Sequence, residues 1–432
     1  MVRGPRHVAA VGRLFGETRL HTSAPAALTW PVALTRSAAQ PAIEVGTFRR
    51  WTMLAATTLA QAASAVAVHG PAFLIPALVA RSGLSLTEAG LVAAAPVLGT
   101  MLTLVAWGAV VDRRGERLVL LVGLAGTALA SLVGTLASGT TSLAAALFLA
   151  GAAAASANAA SGRVIVGWFP PERRGLAMGI RQMAQPVGVG VAAVSMAVVA
   201  DAHGVTAALW VPTAAAALAV ALVAVVVLDP PRPPRRQQPA DSPYRRDRYL
   251  PRIHGVSMLL VVPQFVVWTY ALVWLVAERG WSPGAAGVLV ALTQVAGALG
   301  RIGVGQLSDV VGSRMRPLRW VAFAAVGAMA ALGITAHLGW GVAVVVLVVA
   351  STITVADNGL AFTAVAERAG PFWSGRALGL QNTGQFLVAA CVPPVAGLVA
   401  THAGYAAAFG LAAAFAAAAL PLVPVREERE LT

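Results

Sequence analysis

The chain has 432 residues, 58% of them hydrophobic and 11% charged, with a formal net charge of +14. That usage is far from a soluble domain's and indicates a membrane protein. All 31 basic residues are arginine, which excludes a Walker-type phosphate loop, since that loop needs a lysine; the single cysteine, Cys391, excludes an intramolecular disulfide.

Residues 1–47 are rich in arginine and nearly free of acids, and the apolar stretch APAALTWPVAL within them is short and broken by prolines. A disordered cytoplasmic arm is expected, with a start codon placed too early or a cleaved signal as the alternatives. A bilayer core of about 30 Å takes about 20 apolar residues per helix. Twelve such spans are predicted, at 51–80, 86–111, 118–137, 141–168, 175–200, 205–228, 254–277, 284–310, 318–337, 340–366, 375–401 and 404–425. Residues 229–252, beginning DPPRPPRR, divide them six and six and lack any apolar period, so a flexible cytoplasmic linker is expected there. The expected layout is therefore an arm (1–47), a six-helix bundle (48–228), the linker (229–252), a second bundle (253–425) and a cytoplasmic tail (426–432).

With the amino terminus inside, 26 of the 31 arginines fall in the arm, the cytoplasmic loops and the tail, and the outer loops hold only Arg81 and Arg279. The positive-inside rule then predicts both termini on the cytoplasmic side of the cell (inner) membrane. GWSPG at 280–284 matches the nucleophile elbow of hydrolases but lies between two apolar segments with no strand, so Ser282 is read as the N-cap of span 8. Histidines are scattered singly; no metal, no cofactor and no enzymatic activity are expected.

Two short patterns recur. GAVVDRRGERL at 108–118 and GQLSDVVGSRM at 305–315 share G-x-x-x-D-x-x-G-x-R, which pairs Gly108, Asp112, Gly115 and Arg117 with Gly305, Asp309, Gly312 and Arg314. GLAMGIRQMAQ at 175–185 matches GRALGLQNTGQ at 375–385, and Asn158 matches Asn358. Near-equal offsets at separate places mean a duplicated six-helix unit, as secondary transporters often show.

On these motifs the chain resembles the major facilitator superfamily over residues 48–425. The loop after span 2 looks like that family's signature, with a degenerate second copy after span 8, and WFPPERRGLAMGIRQ after span 4 is similar to many members. The resemblance implies an all-α membrane protein of two pseudo-symmetric six-helix bundles, working as a rocking alternating-access carrier around a central cavity. It also implies that Asp112 and Asp309 latch the outward-open state. The chemistry fits: each aspartate ends its helix where spans 11 and 5 present their partly positive N-terminal ends, Gly108 and Gly305 allow close backbone approach, and Gly115 and Gly312 can turn the chain. Arg117 and Arg314 close the two copies.

Polar groups inside a membrane are expensive and mark function by default. Gln61, Asn158, Arg181, Gln182, Gln185, Gln264, Arg301, Asn358, Gln381, Asn382 and Gln385 are the candidate substrate contacts. Arg163 lies five residues before WFPP and is expected to reach the cytoplasmic rim or an acidic loop residue. Asp357, the only carboxylate well inside a span, and His69 are the candidate proton carriers, each against a structural role: for Asp357 an ion pair with an arginine, for His69 a packed neutral imidazole.

The embedded charges, three arginines against one aspartate, suit a small organic anion such as a monocarboxylate. Arg301 resembles the span 8 arginine of monocarboxylate and oxalate/formate carriers, a substrate ligand there. A drug exporter would carry more cavity carboxylates and aromatics, and a non-transporting receptor would add a soluble signalling domain. The expected partners are a small-molecule substrate, the lipid bilayer and protons, with no nucleic acid, and the protein is expected to be monomeric.

Overall fold

A computed structural model of the chain describes residues 45–232 and 242–428. Most of the expected arm, the middle of the expected linker and the last residues of the tail lie outside the described residues. What is described is helix and connecting turn, as required where lipid offers no hydrogen bonds to an open backbone.

The first half contains α1 (Thr47–His69) and α2 (Ile75–Ser82), joined by a tight turn at Gly70–Leu74, then α3 (Leu86–Arg114), α4 (Glu116–Thr135) and α5 (Thr140–Trp168). It ends with α6 (Pro171–Gln182), α7 (Ala184–His203), α8 (Val205–Ala208) and α9 (Trp210–Val226). The second half contains α10 (Tyr249–Ala277), α11 (Pro283–Val311), α12 (Met315–His337), α13 (Ala343–Ile353), α14 (Asp357–Ala369) and α15 (Ser374–Ala419). Among the described residues eleven continuous helical stretches are long and apolar enough to cross a bilayer, and the last, Ser374–Glu427, is 54 residues long. A straight helix of that length would reach about 80 Å, well over two bilayer cores. Instead the chain turns at Gly404, where φ is +83°, a conformation that glycine adopts without a steric penalty. Twelve transmembrane helices in two six-helix bundles result.

Helix ends follow local chemistry. The Ser282 hydroxyl accepts from Ala285 N at the start of α11, so the GWSPG stretch is a helix cap. Span 7 begins at Tyr249, five residues before the hydropathy pattern places it. Span 5 breaks between α6 and α7 because Pro186 has no N–H to give to the carbonyl of Gln182, four residues earlier. Span 10 breaks between α13 and α14, at residues 354–356. Both breaks border the space between the bundles.

The apolar core shows how the bundles meet. One buried cluster joins both halves near the signature loops, with Met53, Val111 and Ile165 from the first half and Leu250, Met315 and Leu360 from the second. At the opposite end each half has its own cluster, one around Trp274 and Phe409 and the other around Leu74 and Met196. The bundles are closed together at the signature end and apart at the other. Glycines make this closure: a Cβ on Gly108 would fall 2.3 Å from the carbonyl oxygen of Gly375, and one on Gly305 would fall 2.2 Å from that of Gly175.

The described ends of the proline- and arginine-rich segment are docked. Asp229 Oδ1 accepts from the backbone N–H groups of Glu116 and Arg117 at the start of α4, where the helix dipole favours a carboxylate. At the other end Asp247 pairs with Arg368 of α14.

Candidate functional site

Ten of the eleven candidate substrate contacts line one cavity between the bundles: Gln61, Asn158, Arg181, Gln182, Gln185, Gln264, Arg301, Asn358, Asn382 and Gln385. Apolar walls come from Val261, Phe265, Phe362, Phe386 and Ala389. The polar groups carry the duplication inward. Gln61 Nε2 donates to Asn158 Oδ1 at 2.9 Å, and in the second half the Asn358 amide donates to Gln264 Oε1 at 3.0 Å and accepts from Gln385 Nε2 at 2.9 Å. Each bundle thus presents its own linked amides to the same space.

The charged groups break that symmetry. Arg181, 2% exposed, donates through Nε to Ser161 Oγ, through Nη1 to Gln182 Oε1 and through Nη2 to Asn158 O, and its guanidinium faces the Phe362 ring 5.7 Å away. Arg301, 4% exposed, donates through Nε to Val355 O at 3.1 Å and through Nη1 to Gln182 O at 2.9 Å. It therefore satisfies two carbonyls at two helix breaks, one in each bundle, the second being the carbonyl that Pro186 leaves free. Both guanidiniums converge on Gln182. Neither has a carboxylate at ion-pair distance among the described residues, so two positive charges meet in the cavity wall without a direct carboxylate contact.

Asp357 opens α14 at the break in span 10, with its carboxylate buried and Oδ2 without a hydrogen-bond partner among the described residues. It feels the charge of Arg301, but no ion pair forms between them. His69 ends α1 at the turn into Gly70–Leu74 and does not line the cavity. Gln381 is turned away from the cavity as well. Its neighbour Asn382 and Gln385, one turn on, occupy the cavity face, and a step of about 100° per residue sends Gln381 toward α10, where it bonds His254 Nδ1 and Ser257 Oγ.

At the closed end the two signature aspartates accept from the opposite bundle. Asp112 Oδ1 takes Gly375 N at 2.8 Å, while Oδ2 takes Arg376 N at 3.1 Å and Arg376 Nε at 2.8 Å. Asp309 takes Gly175 N at 2.9 Å and Leu176 N at 2.8 Å. Gly115, with φ of +105°, turns α3 into α4 and packs on Asp229, and Gly312, with φ of +65°, ends α11. The two signature arginines part company. Arg314 bonds Asp309 Oδ1 at 2.5 Å and reaches Pro171 O across the bundles, whereas Arg117 stays in its own bundle on Ala224 O. Arg163 fills the corresponding place in the first half: Nη1 meets Asp112 at 2.8 Å, Nε meets Glu116 at 2.9 Å, and Nη2 reaches Pro371 O.

Three features of the site escape the sequence patterns. Glu116, inside the signature, is fully buried and held by Arg163 and Arg232. Three phenylalanines face the cavity, at positions where nothing in the hydropathy pattern separates them from lipid-facing ones. His254 bonds Tyr244 of the docked segment through Nε2 at 2.9 Å and Gln381 of α15 through Nδ1, which ties the segment to span 11. Burial, with Asp112 nearby, pushes the Tyr244 phenol up to about 12, so it remains a neutral partner for the imidazole.

The family model described as Major Facilitator Superfamily matches residues 53–393. An uncharacterized MFS-type transporter of Mycobacterium tuberculosis is 45% identical over 384 residues, covering 88% of this chain and 86% of the relative. The Escherichia coli fucose:proton symporter has a similar fold, with a TM-score of 0.72 at 17% identity, covering 87% of this chain and 98% of that one. The human organic anion transporter MFSD10 gives a TM-score of 0.69 at 17% identity, covering 87% and 99%.

Proposed function

The chain belongs to the Major Facilitator Superfamily, a membrane transporter family with small-molecule substrates, and we propose that it carries a small organic anion, such as a monocarboxylate, by proton-coupled alternating access. The observation that carries the substrate class is the pair of buried guanidiniums, Arg181 and Arg301, which meet at Gln182 without a carboxylate partner. Isolated buried charges are costly and persist where a ligand or counter-ion completes them. Of the five N–H donors on each guanidinium, the described bonds use three on Arg181 and two on Arg301. A carboxylate in the cavity can accept most of the remainder, and a guanidinium can grip it through two parallel bonds.

The described conformation is the outward-open state, with the cytoplasmic side shut by the signature contacts. Asp112 with Arg376, and Asp309 with the N–H groups of Gly175 and Leu176, act as the latch; rocking inward requires both to part. Asp357 is the proton carrier. Its unpartnered oxygen lies at the end of a broken helix next to the substrate arginine, so loading a proton there changes the charge that Arg301 offers to the anion. The carrier works as a monomer in a bacterial cell membrane, with both termini in the cytoplasm and the two bundles divided by the 229–252 segment.

The test is flux into proteoliposomes from a panel of monocarboxylates, dicarboxylates and lipophilic drugs, with and without an imposed pH gradient. Saturable carboxylate uptake driven by the gradient supports the reading. Transport confined to uncharged or cationic drugs overturns it and selects a drug or hydrophobic-compound exporter, for which the three cavity phenylalanines are the supporting feature.

A further inference from the structure

A second pocket is built by the carboxyl-terminal end of the chain, away from the transport cavity. Arg252 in the first turn of α10 donates through Nε to Leu422 O at 2.9 Å and through Nη2 to Pro421 O at 2.8 Å, and it pairs with Glu427. Glu428 pulls the other way. Its carboxylate accepts from Arg314 N at 2.5 Å, Met315 N at 3.1 Å and Ser313 Oγ at 2.5 Å, capping the start of α12. The segment after α15 is thus pinned between α10 and α12, so the space beside it has fixed walls.

That space is about 790 Å³, lined by Arg252, Arg319, Arg426 and Glu427 with Leu420 and Val423 among its apolar residues. Glu427 neutralises Arg252. Arg319 and Arg426 have no carboxylate and no hydrogen-bond partner among the described residues; the guanidinium of Arg319 lies 5.6 Å above the ring of Phe323. Phe323, 51% exposed, stands on the outer surface of α12 one turn from Arg319, whereas the equally exposed Trp320 lines a separate apolar recess toward α11 and α13. Arg319 lies in the second turn of α12, a membrane-spanning helix, and long cationic side chains near the ends of such helices reach the headgroup level. The pocket therefore offers two cationic groups without a partner among the described residues, at one end of a membrane-spanning helix, with apolar surface beside them.

We propose that this pocket binds the phosphodiester headgroup of an anionic phospholipid, held by Arg319 and Arg426. A soluble phosphate ester shares the recognised chemistry, but the exposed Phe323 ring beneath Arg319 and the apolar wall of Leu420 and Val423 favour a phosphate that arrives with acyl chains.

The experiment is native mass spectrometry of the full-length protein in detergent, titrated separately with phosphatidylglycerol, phosphatidylcholine and inorganic phosphate. Wild type is expected to retain phosphatidylglycerol over phosphatidylcholine. The double variant R319Q/R426Q should weaken phosphatidylglycerol binding about thirtyfold, about fivefold per arginine, and R319K/R426K should keep most of it. R173Q/R246Q removes the same charge from the same side of the membrane and should leave binding unchanged; retained folding in all variants is checked by their unfolding midpoints. Equal loss in both glutamine pairs, absence of any preference for phosphatidylglycerol, or displacement of the lipid by equimolar inorganic phosphate would each overturn the assignment.

Discussion

Arg163 and Arg301 are equally buried, at 4% exposure each, and both reach across the bundles to a carbonyl, yet their surroundings differ in kind. Arg163 is clasped by two carboxylates, Asp112 and Glu116, at 2.8 and 2.9 Å. Arg301 bonds two neutral carbonyls, and Asp357 acts on it only from beyond ion-pair distance. A guanidinium matched by carboxylates is a finished structural element, in which each charge satisfies the desolvation of the other. One matched only by carbonyls keeps its positive charge and its spare donors for something that comes and goes. Burial alone does not separate the two, but counter-charge does.

The largest expected effect falls on stability at the matched site. Arg163→Ala leaves Asp112 and Glu116 buried with too few donors and should cost about 3–5 kcal/mol. Arg301→Ala removes two bonds to carbonyls beside a polar cavity and should cost about 1–3 kcal/mol. Denaturant unfolding of both variants in detergent checks the ranking. If Arg301→Ala proves the more damaging, Arg301 is structural and the contrast fails.

Binding should rank them in the reverse order. Arg301→Lys replaces a two-pronged donor by a point charge and should raise the apparent Kd for a carboxylate about tenfold to hundredfold, the equivalent of one lost charged hydrogen bond of about 1.5–3 kcal/mol. Arg301→Ala should abolish binding. Full carboxylate affinity in a folded Arg301→Ala variant would remove the anion reading. Arg163→Lys, which can keep one of its two carboxylates, should leave substrate affinity unchanged.

Asp357 tests the cavity's coupling. With one proton carried per anion, a gradient of one pH unit can drive up to about tenfold accumulation, or about 1.4 kcal/mol. Asp357→Asn should lose that accumulation and retain exchange of labelled for unlabelled substrate, because exchange moves no net proton. Concentration of substrate by the Asn variant under a pH gradient would show that the proton travels elsewhere. Loss of exchange as well would make Asp357 a structural group of the span 10 break.

Much of this architecture is legible in the amino-acid sequence. The composition, the arginine distribution and the two repeats carry the twelve spans, and the intramembrane amides mark the cavity, because a polar side chain in a span has few other reasons to be there. What stays hidden depends on direction and on partners. Gln381 and Asn382 are adjacent and chemically alike, and one faces the cavity while the other bonds His254; a sequence specifies the residue type but not the phase of a kinked helix. Arg117 and Arg314 occupy the same place in the repeated motif, but only Arg314 crosses the bundles, because the first half supplies Arg163 for that task from a different helix. Pro186 marks the Gln182 carbonyl as a freed acceptor, but it does not say which residue, here Arg301, comes to satisfy it.

The smallest expected effect is also the sharpest use of the duplication, since Asp112 and Asp309 hold matching positions with unequal partners. Asp112 accepts from one backbone pair, Gly375 N and Arg376 N, and from the guanidiniums of Arg376 and Arg163. Asp309 accepts from the pair Gly175 N and Leu176 N and from one guanidinium, Arg314, which Glu367 also holds. Changing either to Asn weakens a contact with a helix N-terminus worth about 0.3–2 kcal/mol and should shift the population toward the inward-open state. For Asp112 the lost partner is also a side-chain cation of the other bundle, Arg376, whereas position 176 holds leucine and Arg314 belongs to the same half as Asp309. Asp112→Asn should therefore shift the population further than Asp309→Asn, toward the upper and lower ends of that range respectively. Single cysteines placed on the two faces and labelled from each side would read the shift. Equal shifts would mean that the backbone contacts alone hold the latch, and a larger effect at Asp309 would reverse the comparison between the two halves.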